Sequence, residues 1–147
     1  MDTESNDKTV NILLIEDNYA DIRIITEVLK EFRTRPTLYV VNNGVEALEF
    51  LNKKGKHKNK CHPDLILLDL NIPLLNGFEV LKEIKIKDNL KNIPVIILTT
   101  SNTEEDISKA CELQVNCFIT KPLCFDEYKL VLEDIEKFWL NFDYSAI

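Results

Sequence analysis

A doubly wound α/β fold, with one five-stranded parallel sheet, is predicted by three observations. Short apolar runs recur along the 147 residues at a spacing of roughly 25, the length of a βαβ repeat with short connections. Segments of helical period lie between the runs. Several runs are apolar throughout instead of alternating, as in parallel strands covered on both faces. Right-handed crossovers then put helices on both faces of the sheet.

The runs are NILLI (11–15), TLYVV (37–41), LILL (65–68), VIIL (95–98) and CFI (117–119). The first, third and fourth are continuous. Between them Ile22, Ile25, Val28, Leu29 and Phe32 follow the 3.6 period, and Val45, Leu48 and Leu51 do so next. Phe78, Leu81 and Ile84 form a third stripe. Ile107, Ala110, Cys111 and Gln114 form a weaker fourth, and Tyr128, Val131, Leu132, Ile135 and Phe138 a fifth. Pro36, Pro63 and Pro94 fall near strand starts and Pro122 just after a strand, where a missing N–H is tolerable. Asn42 and Asn43 read as turn residues after the second run. The pattern makes residues 1–9 a flexible tail, 10–140 one domain and 141–147 a C-terminal tail, with nothing left for an output module.

Hydrophobic residues make up 45% and charged residues 29%, a globular composition. The net charge of −7 argues against general nucleic-acid binding, which needs a basic face. No apolar run approaches the ~18 residues that span a bilayer, and no charged-then-apolar segment opens the chain. A cytoplasmic protein away from membranes is expected. Cys61, Cys111, Cys117 and Cys124 lack paired spacing and read as reduced, mostly buried thiols. His57, Cys61 and His62 read as loop residues, since a zinc site needs a fuller ligand set. Three glycines, Gly44, Gly55 and Gly77, make no phosphate-cradling loop, which argues against nucleotide binding.

Ligands of a doubly wound sheet bind outside the carboxyl ends of its strands. Glu16 and Asp17 follow the first run, Asp69 and Asn71 the third, Thr99 and Thr100 the fourth, and Thr120, Lys121 and Pro122 the fifth. One edge thus gathers three carboxylates, hydroxyls and an ammonium. Clustered acids repel unless a cation shares the site, and hard oxygen ligands suit Mg²⁺. A metal and a lysine together attract an anion such as a phosphoryl group, and a carboxylate can be its nucleophilic acceptor. Each residue alone has a plainer reading: Glu16 and Asp17 as helix-capping acids, Asp69 as a turn residue, Thr99 as a strand end, Lys121 as a solvated lysine. Their joint placement disfavours it.

The phrases ILLIEDN, DLILLDLNIPLLNGFEVLKEIK, IPVIILTTS and FITKPL, in that order, resemble the signature of two-component response-regulator receiver domains. The resemblance spans Val10 to Trp139. ILLIEDNYADIRI, LTTSNTEEDI, NCFITKPL and IEKFWLNF are more narrowly similar to the single-domain regulators of bacterial phytochrome histidine kinases. It implies a flavodoxin-like strand order, 2-1-3-4-5. Asp69 resembles the phosphoacceptor, with Glu16, Asp17, Asp69 and the Asn71 carbonyl around Mg²⁺. Thr99 resembles the hydroxyl that bonds a phosphoryl oxygen, and Lys121 the lysine that pairs with it, followed by a cis bond to Pro122. Phe118 stands at the aromatic switch position, where it lacks a hydroxyl. The partners implied are a sensor histidine kinase and a downstream protein.

Two features depart from the family pattern. Thr100 stands where many receivers have a small residue, and KKGKHKNKCHP (53–63) inserts five lysines, read as a solvated loop or a dock for an acidic surface. The apolar group Phe138, Trp139, Leu140 and Phe142 either folds back on the domain or forms an interface, and the resemblance favours a homodimer. Two other functions are open at this stage. A phosphatase acting through an aspartyl-phosphate would want an acid where Asn71 stands, and a phosphorylation-independent scaffold would not need the full set of site residues.

Overall fold

The elements run β1 (Asn11–Ile15), α1 (Tyr19–Leu29), β2 (Thr37–Val41), α2 (Gly44–Leu51), β3 (Leu65–Leu68), α3 (Gly77–Ile86), β4 (Val95–Thr99), α4 (Glu104–Glu112), β5 (Cys117–Thr120) and α5 (Phe125–Trp139). They belong to a computed structural model that describes residues 9–58 and 62–140. All pairings are parallel and the order is β2-β1-β3-β4-β5, as the resemblance implied.

Alternate residues of the central strands face opposite layers, because the strand period is two. Leu13, Ile15, Ile66, Leu68 and Ile97 pack with Phe50, Leu81 and Ile84 of α2 and α3. Ile12, Leu14, Leu65, Leu67 and Ile96 pack with Ile25, Val28, Tyr128 and Leu132 of α1 and α5. Burial on both faces is why β1, β3 and β4 read as unbroken apolar runs.

Three helix stripes differ from the sequence reading. In α2, Val45 is 40% exposed and the buried face is Gly44, Ala47, Phe50 and Leu51. Asn43 caps this helix, its side chain accepting from Glu46 N–H at 2.7 Å. Gly44 then lies against Leu75, whose Cβ would sit 2.6 Å from any Cβ added at Gly44. Close approach therefore turns the small residues inward and Val45 outward. In α4, Ala110 is buried, while Ile107 and Cys111 are exposed, as is Gln114 just past the end of the helix. Ala110 is the one buried residue of that helix, so its larger side chains lie toward solvent. In α5, Phe138 is 66% exposed, with Lys137 Nζ 5.4 Å from its ring centroid, whereas Trp139 and Leu140 pack back on the α1–α5 layer. The C-terminal apolar group thus divides. Phe142 lies outside the described residues.

Other corrections concern the cysteines and the insert. Cys111 and Cys124 are exposed instead of buried, being on the outer face of α4 and at the start of α5. Cys61 lies outside the described residues. His57 is in the insert, as predicted, but in a 3-10 turn (Gly55–His57) that buries its ring 5.1 Å from Phe50. Among the described residues no helix is long and apolar enough to cross a membrane.

Candidate functional site

Backbone pairing continues one residue past the strands and fixes where the polar side chains point. Glu16 N–H donates to Val41 O at 3.0 Å, Asp69 N–H to Ile15 O at 3.0 Å, and Lys121 N–H to Thr99 O at 2.7 Å. The first two bonds set Glu16 and Asp69 side by side, and the third sets Lys121 beside Thr99. Carboxylate oxygens of Glu16, Asp17 and Asp69 lie within 4.8 Å of one another. Glu16 is 1% exposed and Asp69 5%, while Asp17 is open to solvent.

Lys121 Nζ contacts three carboxylates: Glu16 Oε1 at 2.9 Å, Asp69 Oδ2 at 3.0 Å and Asp21 Oδ2 at 2.8 Å. Asn71 N–H donates to Asp69 Oδ1 at 3.1 Å. Asp69 is therefore oriented through both oxygens. Thr99 is fully buried, and its Oγ1 accepts from Ser101 N–H at 3.4 Å. The Ser101 hydroxyl bonds the Asp106 carboxylate, tying this loop to the first turn of α4. Thr100 points to solvent. Phe118 is half-buried against the α2–α3 layer. The bond between Lys121 and Pro122, expected cis, is trans, the isomer that X–Pro bonds favour by ~0.5–1 kcal/mol.

Sequence reasoning missed Asp21 and Tyr128. Asp21 reads as an acid in the first turn of α1, and its N–H does donate to the Asn18 cap at 3.0 Å. Tyr128 reads as core, and it is buried, but its Oη donates to Asp21 Oδ1 at 3.1 Å. No local spacing signals this pairing, because Asp17 precedes α1 and Lys121 precedes α5; it arises where the two helices meet.

Crowding sets the protonation. Burial pushes the Glu16 carboxyl up to about 7; the Lys121 hydrogen bond opposes this, and the neighbouring Asp69 charge adds to it. Burial also pushes Asp69 up, but hydrogen bonds from Glu16, the Asn71 amide and Lys121 outweigh it and hold Asp69 below the ordinary carboxylate range. Asp69 is thus the anion, while Glu16 holds its proton only below about pH 7. Burial alone would lower Lys121, but Asp21 and Glu16 raise it and keep it charged. Burial, then the Asp21 charge, raises the Tyr128 phenol, so it stays a donor.

The donor set fits a divalent cation. Three hard oxygen donors converge, one of them open to solvent, and Glu16 retains a proton where a cation would neutralise the cluster. Without a cation, Glu16 binds more protons folded than unfolded between 4.5 and about 7. Its stabilising contribution is full below that window and lost as pH rises through it; the lowered Asp69 has the opposite sign, adding stability that is lost on acidification. Cation binding must displace the Glu16 proton, so affinity is expected to rise between about pH 6 and about pH 8, with proton release at the lower pH. Titration calorimetry in buffers of different ionisation heat checks this. Equal affinity at both values would contradict it.

Residues 12–133 match the family model of the response regulator receiver domain. Response regulator Rcp1 of Synechocystis sp. is 45% identical over 141 residues, covering 96% of this chain and 95% of Rcp1. The crystal structure of the phosphorylated cyanobacterial phytochrome response regulator RcpA has a TM-score of 0.88 and 44% identity, over 90% of this chain and 95% of that one. The Mn(2+)-bound form of Rcp1 gives 0.86 and 43%, over 91% and 96%. With the predicted strand order, the carboxyl-edge acid cluster and this match in hand, the chain belongs to the response regulator receiver domain family.

Proposed function

We propose that this chain, with residues 10–140 as its receiver unit, is a cytoplasmic phosphoacceptor switch that takes a phosphoryl group onto Asp69 from a sensor histidine kinase. Similarity to Rcp1 and RcpA points to a kinase of the phytochrome type. The observation that carries the reading is Asp69 itself. It is a buried anion at the end of a rigid strand, held by Lys121 and Asn71 beside Glu16 and Asp17.

A phosphohistidine presents phosphorus in line with a carboxylate oxygen of Asp69. The P–O bond forms as the P–N bond breaks, and the electron pair returns to the imidazole. Lys121 and the Thr99 hydroxyl are assigned to the equatorial phosphoryl oxygens, where they stabilise charge by position and electrostatics. Mg²⁺ is the cation we assign, held by the carboxylates of Glu16, Asp17 and Asp69 and the carbonyl of Asn71. When bound, it supplies positive charge that offsets the repulsion between the incoming phosphoryl group and Asp69. Asn71 has no proton to transfer, which disfavours a turnover phosphatase.

The output is a changed protein surface and not a reaction. Thr99 drawn toward the phosphoryl group frees space for Phe118, and α4, β5 and α5 repack between two states. The thin burial of α4 suits such a shift. The exposed Leu130 and Phe138 of α5 suit a homodimer or a downstream protein, with neither nucleic acid nor membrane as partner. In transfer from a phosphorylated kinase, Asp69→Asn is expected to take up no phosphate while still melting as a folded protein. Uptake by that variant would sink the assignment. Sedimentation with and without phosphodonor tests the dimer, and a monomer under both conditions would remove it.

A further inference from the structure

We propose that Asp21, braced by Tyr128, is a competing counter-ion for Lys121, setting how tightly the pocket holds a phosphoryl group relative to a divalent cation. This rests on the reading of Asp69 as phosphoacceptor. A lysine ammonium has three N–H donors, and here each has a carboxylate: Glu16, Asp69 and Asp21. A phosphoryl group on Asp69 brings new anionic oxygens to the same ammonium, so a donor has to leave a partner. Glu16 and Asp69 belong to the cluster whose oxygens can share one ion. Asp21 stands apart from that cluster on α1, and it has the shortest of the three contacts, at 2.8 Å.

Tyr128 keeps Asp21 in this role. Its hydroxyl bonds Oδ1 at 3.1 Å while Lys121 bonds Oδ2, so the carboxylate is pulled from both sides and its charge is divided. Tyr128 comes from α5 and is buried among Ile25, Leu132 and their neighbours, so the brace is rigid. Asp21 thereby acts as a positioning residue through Lys121.

The Asp21 charge acts with opposite sign on the two ligands. Neutralising Asp21 releases Lys121 toward an anion and removes a negative charge that favours a cation. A merely structural role would weaken both. Removing the Tyr128 hydroxyl leaves the full Asp21 charge for Lys121 and weakens anion binding.

The test uses the full chain, with beryllofluoride as phosphoryl mimic followed by fluorine NMR at saturating Mg²⁺, and Mg²⁺ alone followed by calorimetry. Asp21→Asn is expected to bind beryllofluoride about tenfold more tightly and Mg²⁺ about tenfold more weakly, the scale of one charge-assisted hydrogen bond. Tyr128→Phe is expected to bind beryllofluoride about threefold more weakly, the scale of a neutral-donor hydrogen bond. Unchanged or jointly weakened binding in Asp21→Asn overturns the proposal, and so does tighter anion binding in Tyr128→Phe. If Asp21→Asn does not fold, Tyr128→Phe decides alone. Wild-type protein that takes no beryllofluoride, or Asp69→Asn that takes it equally well, overturns the phosphoacceptor reading instead.

Discussion

Replacing Lys121 with alanine is expected to slow phosphoryl transfer to Asp69 by about 10²–10³-fold, the usual effect of removing one preorganised stabiliser of transition-state charge. The geometry explains why the loss is large. Among the described residues Lys121 is the cation in contact with Asp69, and it reaches Glu16 and Asp21 as well. The same substitution leaves those three carboxylates without their counter-charge. Breaking a buried ion pair from one side costs about 3 kcal/mol or more, so cation-free Lys121→Ala is expected to lose that much at neutral pH. Carboxyl protonation reduces the loss as pH falls, and Mg²⁺ recovers part of it. Denaturant unfolding with and without Mg²⁺ measures the stability, and the labelling rate measures transfer. A variant that labels at the wild-type rate would contradict the role given to Lys121.

Gly77→Val is expected to reach the site through the backbone. Gly77 opens α3 behind the Asn76 capping box, and its N–H donates to Leu70 O at 3.0 Å. A Cβ there would lie 2.6 Å from Leu70 Cα and 2.7 Å from Asp69 O. Both neighbours are backbone atoms of the segment that carries Asp69, so neither yields by rotating a side chain. Overpacking of this kind costs about 3 kcal/mol, which lowers the melting temperature by about 10 °C in a domain of this size. Because the displaced atoms belong to Asp69 and Leu70, transfer should fall even in molecules that remain folded. Wild-type melting and labelling in Gly77→Val would refute this packing account.

Strands and strand ends were legible in the sequence because they follow simple rules. A strand buried on both faces is apolar throughout, and polar residues just after it fall at the ligand edge. Glu16, Asp17, Asp69 and Lys121 were found this way and come together as expected. Helix faces were less legible. Val45 and Ala47 both fit a helical stripe, and the choice between them depends on Gly44 meeting Leu75, a contact between distant segments. His57 reads as a loop residue because no fuller metal-ligand set accompanies it, and its burial depends on Phe50, a contact its own segment does not show. Asp21 and Tyr128 escaped for a related reason. Each satisfies a local rule, as a helix-start acid and a core aromatic, and their pairing exists only once α1 and α5 lie side by side. The Ser101–Asp106 contact, which links the buried Thr99 to α4, is equally invisible in the chain.

Asp69 is proposed to receive phosphate with the help of a divalent cation. The most direct test is mass-spectrometric mapping of the label after treatment with acetyl phosphate, with Mg²⁺ or with chelator. A single phosphoryl group on Asp69 that requires Mg²⁺ is the expected result; a label on another carboxylate, or one indifferent to chelation, would contradict it.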